Sequence, residues 1–126
     1  MVDAPILIVE DDPVIRELLL ELLDIEGYPA IAVADGASAL RQLKIRRPSL
    51  ILLDLNLPAM DGEGFLREMR RSGRSAPVVL LTADPRGRRL RHARGIVGFL
   101  AKPFDVDELL RLIEKVWPSH RRPEHS

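Results

Sequence analysis

The stretch Leu50-Ile51-Leu52-Leu53-Asp54-Leu55-Asn56-Leu57-Pro58 is an apolar run that ends on one carboxylate and then meets a proline. The four apolar residues from Leu50 to Leu53, with Pro48 just upstream, leave no polar face for an amphipathic helix. They predict a short strand buried on both sides. Asp54 then stands at the carboxyl end of that strand. In an open α/β sheet the crevice outside the carboxyl ends of the strands is where ligands bind, so this acid is a candidate functional residue. A buried carboxylate without compensation shifts its pKa upward or destabilises the fold.

Working outward, Pro5 to Val9 is a second short apolar run, and it exits onto Glu10, Asp11 and Asp12. Asp12-Pro13 supplies a helix N-cap followed by proline at the first helical position. Val14, Leu18, Leu22 and Ile25, with Ile15 and Leu19 beside them, form an apolar stripe opposite Glu17, Glu21 and Asp24, and Gly27 closes the helix. Ala30 to Val33 reads as a strand, and Asp35 caps a helix through Ala39, Leu40 and Leu43 that Pro48 ends. After Asp54 and the loop to Gly62, a helix through Phe65, Leu66 and Met69 stops near Gly73. Val78 to Leu81 is the next buried strand, with Thr82 at its exit. Ile96 to Leu100 is the last, followed by Lys102-Pro103. The final helix opens on Asp105 and Glu108, spaced as a capping box, and runs to Trp117. Strand and helix alternate five times, which predicts an α/β fold with a doubly wound, five-stranded parallel sheet.

The 126 residues with 46% hydrophobic composition suffice for one domain that buries roughly two thirds of its unfolded surface. Residues 119–126 are polar and are predicted to be a disordered tail. A formal net charge of zero argues against function by bulk attraction to nucleic acid or membrane. The charge is unevenly spread, however: residues 1–27 carry Arg16 as their sole basic side chain, whereas Arg86, Arg88, Arg89, Arg91 and Arg94 cluster with no acid among them. The absence of cysteine removes disulfides and thiolate chemistry. Neither a signal peptide nor a long apolar span is evident, and a cytoplasmic location is expected.

Taken together, the strand exits collect Glu10, Asp11, Asp54, Thr82 and Lys102 on one edge of the sheet. Each like-charge pair near 4 Å costs on the order of 4 kcal/mol at an effective dielectric of 20, so three ionised carboxylates need a cation. Oxygen ligands without cysteine or neighbouring histidine favour Mg²⁺ over Zn²⁺. Lys102 is a second cation, and Thr82 supplies a hydroxyl. A carboxylate nucleophile, a metal, an ammonium and a hydroxyl suit phosphoryl transfer to Asp54.

The segments Ile8-Val9-Glu10-Asp11-Asp12-Pro13, Leu52-Leu53-Asp54-Leu55-Asn56-Leu57-Pro58 with Asp61-Gly62, Leu81-Thr82-Ala83, and Gly98-Phe99-Leu100-Ala101-Lys102-Pro103-Phe104 are similar, in order and interval, to the receiver domains of two-component response regulators, the CheY-like superfamily. The resemblance spans residues 5–117. It implies a flavodoxin-like (βα)5 fold with strand order 2-1-3-4-5 and one receiver domain over residues 1–118. It further implies a cytoplasmic signalling switch: Asp54 is phosphorylated from the phosphohistidine of a sensor histidine kinase or histidine phosphotransfer protein, and the domain catalyses its own phosphorylation and slow dephosphorylation. By the same resemblance Asp11 binds Mg²⁺ directly, Glu10 mostly through water, and the Asn56 carbonyl is a third protein ligand beside Asp54, with Mn²⁺ able to substitute. Thr82 and Lys102 would bind phosphoryl oxygens, Phe99 matches the aromatic switch position, and a cis peptide is expected before Pro103. An unidentified downstream protein, a monomer or weak dimer, and no direct contact with nucleic acid or membrane are expected, and no output domain is apparent in this chain.

The largest departure from the family lies between Thr82 and Phe99. Asp84 to Arg94 is about two residues short, contains Gly87, places like charges at helical spacing, and offers only Leu90 and Ala93 as apolar anchors. A short or mobile fourth helix is predicted. Two rival functions are disfavoured. A haloacid-dehalogenase-like phosphohydrolase needs an acid two residues after the nucleophile, where Asn56 stands. A nucleic-acid module built on the arginine run lacks interleaved aromatics.

Overall fold

The computed structural model describes residues 4–117, and the tail expected at 119–126 lies outside them. Strands β1 (Ile6–Val9), β2 (Ala30–Val33), β3 (Leu50–Leu53), β4 (Val78–Thr82) and β5 (Ile96–Ala101) alternate with helices α1 (Pro13–Ile25), α2 (Gly36–Ile45), α3 (Gly62–Arg71), α4 (Arg86–Leu90) and α5 (Val106–Val116). All strand pairings are parallel, in the order β2-β1-β3-β4-β5. This is the flavodoxin-like order expected from the sequence.

Every residue of β1, β3 and β4 is buried, because helices cover both faces of the sheet. Leu7, Val9, Ile51, Leu53, Val78 and Leu80 pack toward Ala39 and Leu43 of α2 and Phe65, Leu66 and Met69 of α3. Ile6, Ile8, Leu50, Leu52, Val79 and Leu81 pack toward Leu19 and Leu23 of α1 and Leu109 and Ile113 of α5. Tyr28 and Trp117 close this second layer edge to face, with ring centroids 5.1 Å apart.

Short polar side chains begin α1, α2 and α5 as the sequence suggests. Asp12 accepts hydrogen bonds from the Val14 and Ile15 N–H groups, Asp35 from Ser38, and Asp105 from Asp107 and Glu108. Gly27 and Gly73, at φ +87° and +78°, end α1 and α3 in the left-handed region that glycine occupies without steric cost.

One strand carries a defect that matters downstream. Val78 pairs with Ile96, but Val79 pairs with Gly98, so Val97 is an extra, bulged residue in β5. In an unbroken strand residues 96 and 99 face opposite sides. Here both Ile96 and Phe99 pack on the α3 side of the sheet.

The first helix corrects the apolar stripe expected from periodicity. Val14 and Ile25 are 75% and 76% exposed and Leu18 is 46% exposed, while Leu19 and Leu23 are buried with Ile15, Leu20 and Leu22 packed beside them. Adjacent residues lie about 100° apart around a helix. The core therefore takes the face centred on Leu19 and Leu23, and Val14, Leu18 and Ile25 form a separate solvent-facing strip. Leu23→Ala should lower the unfolding free energy by about 2–5 kcal/mol, whereas Val14→Ala and Ile25→Ala should change it by no more than about 0.5 kcal/mol, measured by urea denaturation.

Candidate functional site

The parallel register brings the exits of β1 and β3 side by side. Val9 pairs with Leu53, and the Asp54 N–H donates to the Val9 carbonyl at 3.1 Å. Glu10 and Asp54 follow directly, and both are buried, at 2% and 5% exposure. One carboxylate oxygen each from Glu10, Asp11 and Asp54 can be chosen so that all three lie within 4.8 Å of one another, with Asp11 exposed at the rim. This all-oxygen set suits a hard divalent cation, which tolerates an open, partly hydrated site.

Lys102 reaches this cluster from the end of β5. Its Nζ donates to Glu10 Oε1 at 2.7 Å and to Asp54 Oδ2 at 2.9 Å. The Lys102 N–H donates to the Thr82 carbonyl at 3.1 Å, which extends the β4–β5 pairing to the lysine itself. The following Lys102–Pro103 peptide bond is cis. Burial works against the Lys102 charge, but its two carboxylate partners outweigh that and hold the ammonium above the ordinary lysine value. Burial likewise pushes the Glu10 carboxyl above the usual carboxylate range, and Lys102 and the Asp12 N–H offset this only in part. The two ends of the contact respond differently because Lys102 faces two anions, whereas Glu10 shares one ammonium with Asp54.

The backbone after β3 shapes the floor of the site. Asn56 is exposed, and its N–H donates to Asp54 Oδ1 at 3.1 Å, which orients the carboxylate. Gly62 opens α3 against this turn. A Cβ there would lie 2.6 Å from the Asp54 carbonyl oxygen and 2.7 Å from Leu55 Cα, so the close approach requires glycine. Thr82 is 1% exposed at the end of β4, and its hydroxyl accepts the Asp84 N–H at 3.0 Å. Phe99 is half-buried on β5, with the Arg91 guanidinium 5.7 Å from its ring centre.

Two features of the site escape a reading of the sequence. Gly87, whose evident effect is to weaken a helix, is buried in α4; a Cβ there would lie 2.5 Å from Phe99 Cε1 and 2.9 Å from Thr82 Cγ2. A glycine retained inside a helix despite a cost of roughly 1 kcal/mol is the signal that points to such an approach. Arg86, one of a run that reads as mutually repelling, bonds Asp84 and crosses to Asp61 and Glu63 at the start of α3. Nothing in the local pattern reveals those partners. A cavity of about 360 Å³ lies at the other end of the sheet, between α3 and the turn before β5, lined by Leu66, Met69, Val78, Arg70, Arg74 and Arg94 among others. Among the described residues no carboxylate lines it, so it is separate from the cluster at the strand exits.

The likeness to known proteins agrees with this geometry. Residues 6–114 match the response regulator receiver domain. The chain is 36% identical over 120 residues to sporulation initiation phosphotransferase F of Bacillus subtilis, covering 94% of this chain and 97% of that protein. It is 37% identical over 112 residues to the transcriptional regulatory protein PdtaR of Mycobacterium tuberculosis, covering 86% of this chain but 54% of that protein. The chain thus spans nearly all of the first relative and about half of the second. Among solved structures, the response regulator TrrA of Thermotoga maritima, in complex with Mg(2+)-BeF, is 33% identical with a TM-score of 0.78, covering 90% of this chain and 98% of that one. The receiver domain of a Pseudomonas aeruginosa PAO1 sensor histidine kinase, with magnesium coordinated in its active-site cleft, is 37% identical with a TM-score of 0.78, covering 92% and 98%. Sequence, strand order and the carboxylate cluster converge on one conclusion: this chain belongs to the response regulator receiver domain family.

Proposed function

We propose that this receiver domain is switched by phosphorylation of Asp54, with a phosphohistidine on a sensor histidine kinase or a histidine phosphotransfer protein as the donor. The observation that carries the reading is the placement of Asp54 between the Lys102 ammonium and the carboxylates of Glu10 and Asp11 at the strand exits. One oxygen of the Asp54 carboxylate attacks phosphorus and the phosphorus–nitrogen bond breaks; its electron pair returns to an imidazole ring protonated on its other nitrogen, which leaves as neutral histidine. Hydrolysis of the aspartyl phosphate by water then returns the carboxylate and inorganic phosphate.

The residues divide this work. The Asn56 N–H and Lys102 fix the two oxygens of Asp54, which holds the nucleophile in one orientation. Lys102 balances negative charge arriving on the phosphoryl oxygens, and Thr82 supplies a hydroxyl that can donate to one of them. Glu10, Asp11, Asp54 and the Asn56 carbonyl would hold Mg²⁺, which when bound neutralises charge shared between the acid cluster and the phosphoryl group. Phosphorylation adds about −1.5 to −2 charges to the pocket. The packing of Gly87 on both Thr82 and Phe99 offers a route by which that charge alters the outer surface. No helix among the described residues is long and apolar enough to cross a membrane, in keeping with a cytoplasmic signalling role.

Incubation with Mg²⁺ and acetyl phosphate should give a single phosphoryl adduct by intact mass. It should depend on the metal and be absent from Asp54→Asn; no adduct on the wild type, together with no binding of beryllofluoride, would overturn the reading. In the metal-free protein, Asp11→Asn removes one of three clustered anions and should raise stability by about 1 kcal/mol, since the contact is partly exposed and screened. The same variant should lose most of the rise in thermal midpoint that Mg²⁺ produces in the wild type.

A further inference from the structure

The segment after β4 is fastened to the start of α3 chiefly by the Arg86 guanidinium, with a longer Arg89–Glu63 contact of 3.8 Å beside it. Arg86 encloses Asp84: its N–H and Nε donate to Oδ1 at 2.8 and 3.1 Å, and its Nη2 donates to Oδ2 at 3.0 Å. Its remaining amino group crosses between elements, with Nη1 donating to Asp61 Oδ2 at 2.8 Å and to Glu63 Oε1 at 3.2 Å. Asp61 is itself committed, because its Oδ1 accepts the Gly64 N–H as the N-cap of α3. The α3 start is in turn seated on the Asp54 turn through Gly62. The anchor is therefore rigid, and the loop hangs from it.

What hangs there is the Thr82 hydroxyl. Its oxygen accepts the N–H of Asp84, the residue that Arg86 grips, and among the described residues Thr82 makes no side-chain hydrogen bond to Asp54 or Lys102. Accepting the Asp84 N–H leaves the Thr82 O–H free to donate but ties its oxygen to the Asp84 turn, so any approach of Thr82 to a phosphoryl oxygen carries that turn with it. Gly87, one residue past Arg86, lies against Thr82 Cγ2 and Phe99, so the first turn of α4 packs on both side chains and a shift of Thr82 is coupled to it. The Arg86 contacts oppose that movement.

We propose that Arg86 is a positioning residue that clasps the β4–α4 loop to α3, holds Thr82 away from the phosphoryl site, and so restrains phosphorylation of Asp54. The proposal rests on Asp54 phosphorylation as read above. The clasp adds no group to the reaction; it sets how often Thr82 is available for it. Asp61 and Asp84 both lie below the ordinary aspartate range because of Arg86, so the clasp is intact at neutral pH. Its side chains are 15–41% exposed, which keeps each contact modest and the clasp reversible.

The test is the initial rate of Asp54 adduct formation from acetyl phosphate with saturating Mg²⁺, by intact mass, on the full chain. Arg86→Gln should be faster than wild type by roughly three- to tenfold, with unchanged Mg²⁺ affinity. Arg86→Lys keeps the charge but not the fork, and should fall between the two. Asp61→Asn preserves an N-cap and should accelerate in the same direction; combined with Arg86→Gln it should add little, because both act through one contact. Equal or slower rates in Arg86→Gln and Asp61→Asn would overturn the clasp while leaving Asp54 phosphorylation standing, whereas absence of any wild-type adduct would remove the underlying reading instead. If Arg86→Gln does not fold, Asp61→Asn alone decides by the same rate criterion.

Discussion

The Lys102 ammonium, shared between Glu10 and Asp54, is the contact on which the strand exits depend. Two buried carboxylates at the ends of adjacent parallel strands repel in a medium that screens poorly. The sheet keeps them there because its register leaves no alternative and because β5 delivers a cation to the same edge. Removing one partner of such a buried pair typically costs about 3–5 kcal/mol, more than most single contacts in a domain of this size. Lys102 is the one cation bonded to these carboxylates among the described residues, with Arg16 reaching only the main-chain carbonyls of Glu10 and Asp11, and this shortage of cation suits the cluster to a divalent ion.

Much of this was legible in the sequence, for identifiable reasons. Strands buried on both faces leave continuous apolar runs, so Ile6–Val9, Leu50–Leu53 and Val78–Leu81 stand out, and the polar residue that ends each run marks the functional edge. Capping aspartates are local signals, and Asp12, Asp35 and Asp105 were readable as such. The α1 stripe misled because periodicity reveals that apolar residues align, not which of two apolar strips the sheet will meet; with Val14, Leu18 and Ile25 on one side and Leu19 and Leu23 on another, both choices were open. The Val97 bulge left no trace, since it arises from pairing with β4. Arg86 was hidden for a related reason: its partners Asp61 and Glu63 lie more than twenty residues away, and a run of like charges reads as repulsive until the opposite charges are brought in by the fold.

The short fourth helix sits between the end of β4 and the surface. With five residues and Gly87 buried among them, α4 has little internal rigidity and instead takes its position from what it touches. Below it are Thr82 and Phe99, above Phe99 lies Arg91, and to its side Arg86 and Arg89 face the acids of α3. A long helix would average such contacts over several turns. A single turn cannot, so the position of the arginine-bearing segment depends on these few contacts.

Open parallel sheets carry a hazard at their margins, because the outermost strands present unpaired backbone donors and acceptors that another chain can extend. Here β2 and β5 are those margins. β2 is four residues long. β5 is longer and includes exposed Val97, yet Val97 is also the bulged residue. A foreign strand laid along β5 would lose regular pairing at that point and keep register only over the short run from Gly98 to Ala101. The insertion that puts Phe99 on the α3 side thus also guards the sheet's margin against edge-to-edge aggregation.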